Sequence, residues 1–311
     1  MATLPLPHPF DRPWPIADAV AMACLLEASA EKAGNVHPRA SFGDMSFSHF
    51  VASSLALKST LDGHSLQSLG TTIRECTAAS RQAAGVNTNL GTILLIIPLA
   101  FSVQTLRNDR VECRAHTLQE TLHDLLNKLT PVDCQEVYEA IRIAQPGGLG
   151  DQAENDVQGT EQPESLVDAM RQVADVDAVA RQYTTDFSDV LNVLLPWLEE
   201  DLQAGWPVDQ AVCRLQIRWL AREPDGLITR KLGREKSSDV RDQAAQLWNA
   251  ESEITGTSTG SDRKRRFSES QAYQTFDRNL RDPEHRFNPG TTADLIAATL
   301  FVRLVLDQPT P

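Results

Sequence analysis

The chain has 311 residues, 41% hydrophobic and 23% charged, the balance of an ordinary globular protein. Its 29 Lys and Arg face 42 Asp and Glu, a formal net charge of −13. That acidity argues against sequence-independent binding of nucleic acid, which needs clustered cations on phosphates. The mean hydropathy of −0.30 and the lack of a stretch of about 18 apolar residues argue against a membrane span, and scattered cysteines that read as free thiols fit a reducing compartment. The expectation is a cytoplasmic chain with no membrane partner.

Taken in chain order, the periodicity is helical almost throughout. Ile16 to Ala30 is rich in the strong helix formers Ala, Met and Leu. The most apolar run, Ile93 to Phe101, contains Pro98 and reads as too short for a membrane span. Thr117 to Leu129 places Leu118, Leu122, Leu125, Leu126 and Leu129 on one stripe. Thr130-Pro131-Val132-Asp133 then opens a new helix with an N-cap, a first-turn proline and an acid near the positive end. That helix should stop before Pro146-Gly147-Gly148. Further helices are expected over Leu166 to Ala180, Phe187 to Leu202, Val208 to Ala221, Val240 to Ala250 and Leu295 to Leu306. Strand alternation is scarce, so the expectation is an all-α single domain over residues 1–311, a bundle of about a dozen helices. Residues 151–164 and 251–266, acidic or Ser/Thr/Gly-rich, read as mobile loops, the second ending in the solvated charge run Asp262-Arg263-Lys264-Arg265-Arg266.

Five cysteines, Cys24, Cys76, Cys113, Cys134 and Cys213, are scattered without a C-x-x-C pair. They read as free thiols filling the core, with no zinc site. The N-terminus has no basic stretch before an apolar one, so no signal peptide is expected.

In a helical protein the chemistry belongs to the polar joints between helices. Five stand out. Glu27, Lys32-Ala33-Gly34-Asn35-Val36-His37 and Phe42-Gly43-Asp44-Met45 make the first. Asn87-Thr88-Asn89-Leu90-Gly91 precedes an apolar helix, whose exposed N–H groups can hold an anion. Pro146-Gly147-Gly148-Leu149-Gly150, Pro224-Asp225-Gly226 with Thr229-Arg230-Lys231, and Asn288-Pro289-Gly290-Thr291-Thr292-Ala293-Asp294 complete the set. Each also works as a plain turn or cap. Asp177 and Arg181, four apart, read as a surface ion pair. No G-x-x-x-x-G-K-[ST] phosphate loop is present.

As an ordered set, Glu27, Lys32 with Gly34, Asp44-Met45, Asn87-Thr88, Gly147-Gly148, Pro224-Asp225, Arg230 and Asn288 to Leu295 resemble the triphosphoribosyl-dephospho-coenzyme A synthase family. The matches run from about residue 20 to residue 303. The resemblance implies ATP as ribosyl donor, departure of adenine from C1′ and attack by a 2′-hydroxyl of dephospho-coenzyme A, giving an α-linked 5-triphosphoribosyl product. Oxocarbenium character at C1′ would call on carboxylates, and the triphosphate on Mg²⁺ and cations.

The resemblance thus implies catalytic roles for Glu27, Asp44, Asp225 and Asp294, with Glu27, Asp44 and Asp225 also on the metal. It implies substrate-binding roles for Lys32, Gly34, Asn35, His37, Asn87, Thr88, Asn89, Gly147, Gly148, Arg230, Lys231, Asn288 and Gly290. Lys32 should grip phosphate, and the distant carboxylates should meet in one cleft. Ala33 replaces a family proline; Asn35-Val36-His37, Asn89-Leu90-Gly91 and Thr229 to Gly233 also depart from the family pattern. These departures are similar to a relative linked to tetrahydromethanopterin one-carbon metabolism, whose acceptor would be a pterin-linked ribitol hydroxyl. Hydrolysis of ATP to adenine and a non-catalytic helical scaffold are the alternatives from other classes, and homo-oligomerisation stays open.

Overall fold

A computed structural model describes residues 8–62, 68–145, 165–257 and 267–307. They form fourteen α-helices with no strand among the described residues. The only extended pairing among them is an isolated bridge between His37 and Ala40.

Helices α1 (Ile16–Ser29), α2 (Phe47–Asp62), α3 (Leu69–Ala84) and α4 (Leu90–Asn108) are followed by α5 (Ala115–Leu126) and α6 (Pro131–Ala144). Then come α7 (Leu166–Val173), α8 (Ala178–Thr184), α9 (Leu195–Gln203) and α10 (Val208–Leu220). Helices α11 (Gly226–Leu232), α12 (Arg234–Thr257), α13 (Gln271–Asn279) and α14 (Gly290–Val305) close the chain.

Helix α14 lies at the centre, in contact with α1, α4, α8, α9, α10 and α11. Its residues Leu295 to Val302 are all buried, so it is apolar around its whole circumference. Helix α4 is the second core helix, apolar from Ile93 to Ala100. It continues through Pro98 for 19 residues and has the length and composition of a membrane span, which corrects the expectation from the short apolar run. Within the protein, 72% of that window is buried, as in a core helix.

The capping at Thr130 is as expected. Its hydroxyl accepts from the Asp133 N–H, Asp133 accepts back from the Thr130 N–H, and Pro131 opens α6. Other boundaries differ for local reasons. The segment from Leu166 to Ala180 is two helices, because Asp177 accepts from the N–H groups of Val179 and Ala180 and restarts the chain as α8. Asp177 and Arg181 do not pair: Arg181 bonds Asp189, and Asp177 bonds Arg230. Before Pro196 the chain forms a π turn over Val190–Leu194. A proline supplies no N–H to the preceding turn, and a wider turn accommodates the missing bond. Helix α12 continues to Thr257, so the first seven residues of the expected 251–266 loop are helical. The rest of that loop, its basic run, residues 151–164 and Gly147-Gly148 lie outside the described residues. All five cysteines are buried, and none is joined in a disulfide.

The architecture brings polar joints together. The last turn of α1, the end of α3 and the starts of α4, α11 and α14 all open onto the same cleft.

Candidate active site

The cleft has a volume of about 1090 Å³. Glu27, Asp44, Asp294, Asn35, Asn87, Thr88, Asn89, Arg230, Lys231, Asn288 and Gly290 line it, although they span most of the chain. The wall built by α6, α7 and α8 is apolar, with Ile141, Met170, Val173 and Val179. Residues Lys32, Gly34, His37 and Asp225 do not line it; they stand behind the wall.

Asp294 sits one turn into α14 and accepts from the Thr92 hydroxyl at 2.7 Å. A Cβ on Gly91 would fall 2.1 Å from its Oδ2, so only glycine lets α4 approach this carboxylate. Burial pushes its pKa up to about 8, the charges of Glu27, Asp177 and Asp225 add to the rise, and the Thr92 bond opposes it. At neutral pH Asp294 therefore holds a proton.

Glu27 ends the buried face of α1. The ammonium of Lys32, fully buried, lies 2.8 Å from its carboxylate and also donates to its backbone carbonyl. Lys32 is thus a fixed counter-ion for Glu27, in correction of the expected phosphate contact: an ammonium with no exposed surface cannot reach a ligand. Cys24, one turn back, is a thiol pushed up to about 12 by burial and by Glu27, hence inert.

Asp225 is the N-cap of α11. Its Oδ1 accepts from the N–H groups of Leu227 and Ile228, and its Oδ2 from the N–H and hydroxyl of Thr292, both at 2.8 Å. It ties the start of α11 to the start of α14 and has no capacity left for a ligand. Burial raises its pKa, and the Thr292 bonds oppose that rise. Among the described residues no three of His, Cys, Asp and Glu gather into a metal-binding group. Glu27, Asp44 and Asp225 do not come together as such a group.

The first joint is braced from behind. Gly34 adopts φ +73, donates to Asp277 at 2.8 Å, and its missing Cβ would fall 2.8 Å from Leu280. Ala33 and Asn35 are clamped by Gln216 of α10, which accepts from the Ala33 N–H and donates to the Ala33 carbonyl and to Asn35 Oδ1, each at 2.8 Å. The other end of the Asn35 amide donates to Asn288 at 2.7 Å, which joins this joint to α14. His37 takes a bond from Arg281 at 3.2 Å, and burial first, then Arg281, lowers its pKa to about 4. It is neutral, so it is no cation for phosphate.

At the start of α4, Asn87 accepts from the Leu90 N–H at 3.2 Å and Asn89 donates to Ser53 at 2.9 Å. Thr88 lies 3.4 Å from the Ser80 hydroxyl. The cations on the cleft are Arg230, paired with Asp177; Lys231, which donates to the His285 carbonyl at 3.2 Å; and Arg81. Burial lowers the pKa of Lys231. Asp44 is exposed and has no hydrogen-bond partner among the described residues.

Sequence reasoning missed Arg81, Thr92, Gln216 and His285. Arg81, one turn before the Gly85 that ends α3, carried a signal as a last-turn cation. Gln216 carried another, a lone amide between Leu215 and Ile217 in an apolar stretch. Thr92 and His285 carried none.

The family model of the ATP:dephospho-CoA triphosphoribosyl transferases matches residues 13–310. The crystal structure of a protein from Archaeoglobus fulgidus, described as a triphosphoribosyl-dephospho-CoA synthase, superposes with a TM-score of 0.55 at 21% identity. The alignment covers 83% of this chain and 97% of that one and shows a common fold. Among curated proteins none matches.

Proposed function

The chain belongs to the ATP:dephospho-CoA triphosphoribosyl transferase family, and from that premise we propose that this transferase moves the 5-triphosphoribosyl group of ATP to an acceptor hydroxyl and releases adenine. Dephospho-CoA is the acceptor the family implies. The observation that carries the reading is the division of labour among three carboxylates on one cleft. Glu27 is ion-paired with Lys32 at 2.8 Å, burial pushes the Asp294 carboxyl up to about 8, and Asp44 is open to solvent.

Adenine leaving C1′ needs a proton, and the Asp294 carboxylic acid supplies it as the C1′–N9 bond breaks. Positive charge then builds on C1′ and the ring oxygen, and the fixed Glu27 carboxylate stabilises it. The acceptor hydroxyl bonds to C1′ and yields its proton to Asp44. An acid and a base on separate residues suit the α-linked product that follows from inverting β-linked ATP. Exchange with water reprotonates Asp294 and clears Asp44.

The basic side chains on the cleft are Arg81, Arg230 and Lys231; the acidic ones are Glu27, Asp44, Asp177, Glu284 and the protonated Asp294. So few cations favour a triphosphate that arrives with Mg²⁺, which would offset its charge and would be held by one or two carboxylates. Asp44, without a hydrogen-bond partner among the described residues, fits that donor set; Asp225, with both oxygens occupied, does not.

A second acceptor, a pterin-linked ribitol hydroxyl, is favoured by the departures at Asn35 and Asn89, both on the cleft. Incubation with ATP and Mg²⁺, with and without dephospho-CoA, tests the reading by chromatography of free adenine. Release that needs dephospho-CoA supports it. Release with a ribitol acceptor alone moves the acceptor, release with water alone makes the protein a nucleosidase, and no release with any acceptor makes it a scaffold.

A further inference from the structure

At one side of the cleft two rings from distant segments lie face to face. Phe42 of the loop before α2 and His285 of the loop before α14 have centroids 3.9 Å apart and planes 17° from parallel. Both rings line the cleft, and Phe50 is the one other aromatic side chain that lines it among the described residues. Between two segments more than two hundred residues apart, this stack makes a flat ring surface in a cleft whose other lining is mostly aliphatic, polar or charged.

The stack is held with more restraint than packing requires. His285 has φ +52, a left-handed backbone that costs a non-glycine residue energy and persists only where surroundings impose it. Three bonds impose it. The Asp282 carbonyl accepts from its N–H at 3.0 Å. Lys231 donates to its carbonyl at 3.2 Å. The Gly43 N–H donates to its Nε2 at 3.2 Å. The last bond makes Nε2 an acceptor and so puts the proton on Nδ1. Nδ1 is buried and has no partner among the described residues, a donor left unmet at a ring otherwise fixed on every side. Strain, a fixed ring plane and an unmet donor together mark a surface shaped for something other than the fold.

We infer that the Phe42–His285 stack is a purine platform, on which an adenine ring extends the stack with its edge toward polar groups of the cleft. The inference rests on the transferase reading above, in which both ATP and dephospho-CoA bring an adenine. Stacking explains why two flat rings are presented where the remaining wall, Phe50 apart, is aliphatic, polar or charged, since every base offers a π face to an aromatic side chain. Asp44 lies two residues from Phe42. An adenine stacked there as part of the acceptor would bring its own ribose 2′-hydroxyl to the side of the cleft that carries the proposed base.

The test is calorimetric binding to the full chain in Mg²⁺, with each nucleotide matched to a ligand lacking the base. ATP is paired with tripolyphosphate and dephospho-CoA with 4′-phosphopantetheine. The variants are Phe42→Leu, which keeps apolar bulk without a π face, and His285→Asn, since Asn tolerates the left-handed backbone. Phe42→Trp serves as the rescue, and circular dichroism melting confirms that each variant folds. The expected result is a loss of about five-fold or more in affinity for a nucleotide, with the base-free partner unchanged and Phe42→Trp close to wild type. Loss on ATP alone assigns the platform to the donor's adenine, and loss on dephospho-CoA alone to the acceptor's; either supports it. Unchanged nucleotide affinity in both variants, or an equal loss for the base-free ligands, overturns it. A wild-type protein that binds neither nucleotide sinks the transferase reading and the platform with it.

Discussion

Asp44 and Asp294 stand on the wall of the cleft, while Lys32 and Asp225 stand one layer behind it. All four come from the same kind of polar joint, yet the two layers differ in how far the protein uses them up. Asp225 accepts four hydrogen bonds, two from its own helix and two from Thr292. Lys32 is fully buried on Glu27. Asp44 has no hydrogen-bond partner among the described residues, and Asp294 has the single Thr92 hydroxyl. A group whose hydrogen-bonding capacity the fold consumes is scaffolding; a group whose capacity is left over is available to a ligand. The back layer fixes the ends of α1, α11 and α14, and the front layer inherits its geometry.

The largest expected effect tests the back layer. Lys32→Met leaves the Glu27 carboxylate buried without a counter-ion, which should cost about 3–5 kcal/mol of stability. Thermal and urea melts should show the loss, and Glu27→Gln in the double variant should restore most of it. A Lys32→Met protein with an unchanged melt and weakened ATP binding would put Lys32 on the wall and erase the distinction.

The front layer should show the opposite pattern. Asp294→Asn keeps the acceptor for Thr92 but cannot hand over a proton, so turnover should fall by about two orders of magnitude or more. Stability should move the other way above neutrality. The carboxyl titrates near 4 when unfolded and at about 8 when folded. The native state therefore binds the extra proton, and wild-type stability falls as pH rises between those values. Melting temperatures measured from pH 5 to pH 9 should drift downward for wild type relative to Asp294→Asn and level off above about pH 8. A flat difference would mean that Asp294 titrates normally and is no proton donor.

Removal of the joint between α11 and α14 should have a smaller effect. Asp225→Ala loses a cap and leaves Thr292 unanswered, about 2 kcal/mol by urea titration, and Asp225→Asn, which keeps an acceptor, should lose less. If Asp225→Ala melts like wild type but is inactive, Asp225 belongs with the front layer. The mildest effect concerns Lys231. Lys231→Met should leave the melt nearly unchanged and weaken ATP binding by about ten-fold, the scale of one charge-assisted bond. Equal affinity would pass the triphosphate to Arg81 and Arg230.

The helical class and most helices were legible in the chain, because helix propensity, apolar spacing and caps are local properties. Thr130-Pro131-Val132-Asp133 announces α6, and the cap forms as its residues dictate. Asp177 and Pro196 show the limit of the same reasoning: each interrupts an apolar stripe through one backbone hydrogen bond, which periodicity does not register. The gathering of Glu27, Asp44, Asn87 and Asp294 on one cleft could be anticipated from the ordered motifs. Whether a given polar residue faces that cleft or backs it could not. The pairing of Lys32 with Glu27, of Asp225 with Thr292 and of Gln216 with Ala33 and Asn35 depends on how helix ends meet. The stack of Phe42 on His285 joins segments over two hundred residues apart. Residue types and their order set what chemistry the chain could offer; burial and long-range hydrogen bonds, which exist only once the helices pack, decided which groups remain free to perform it.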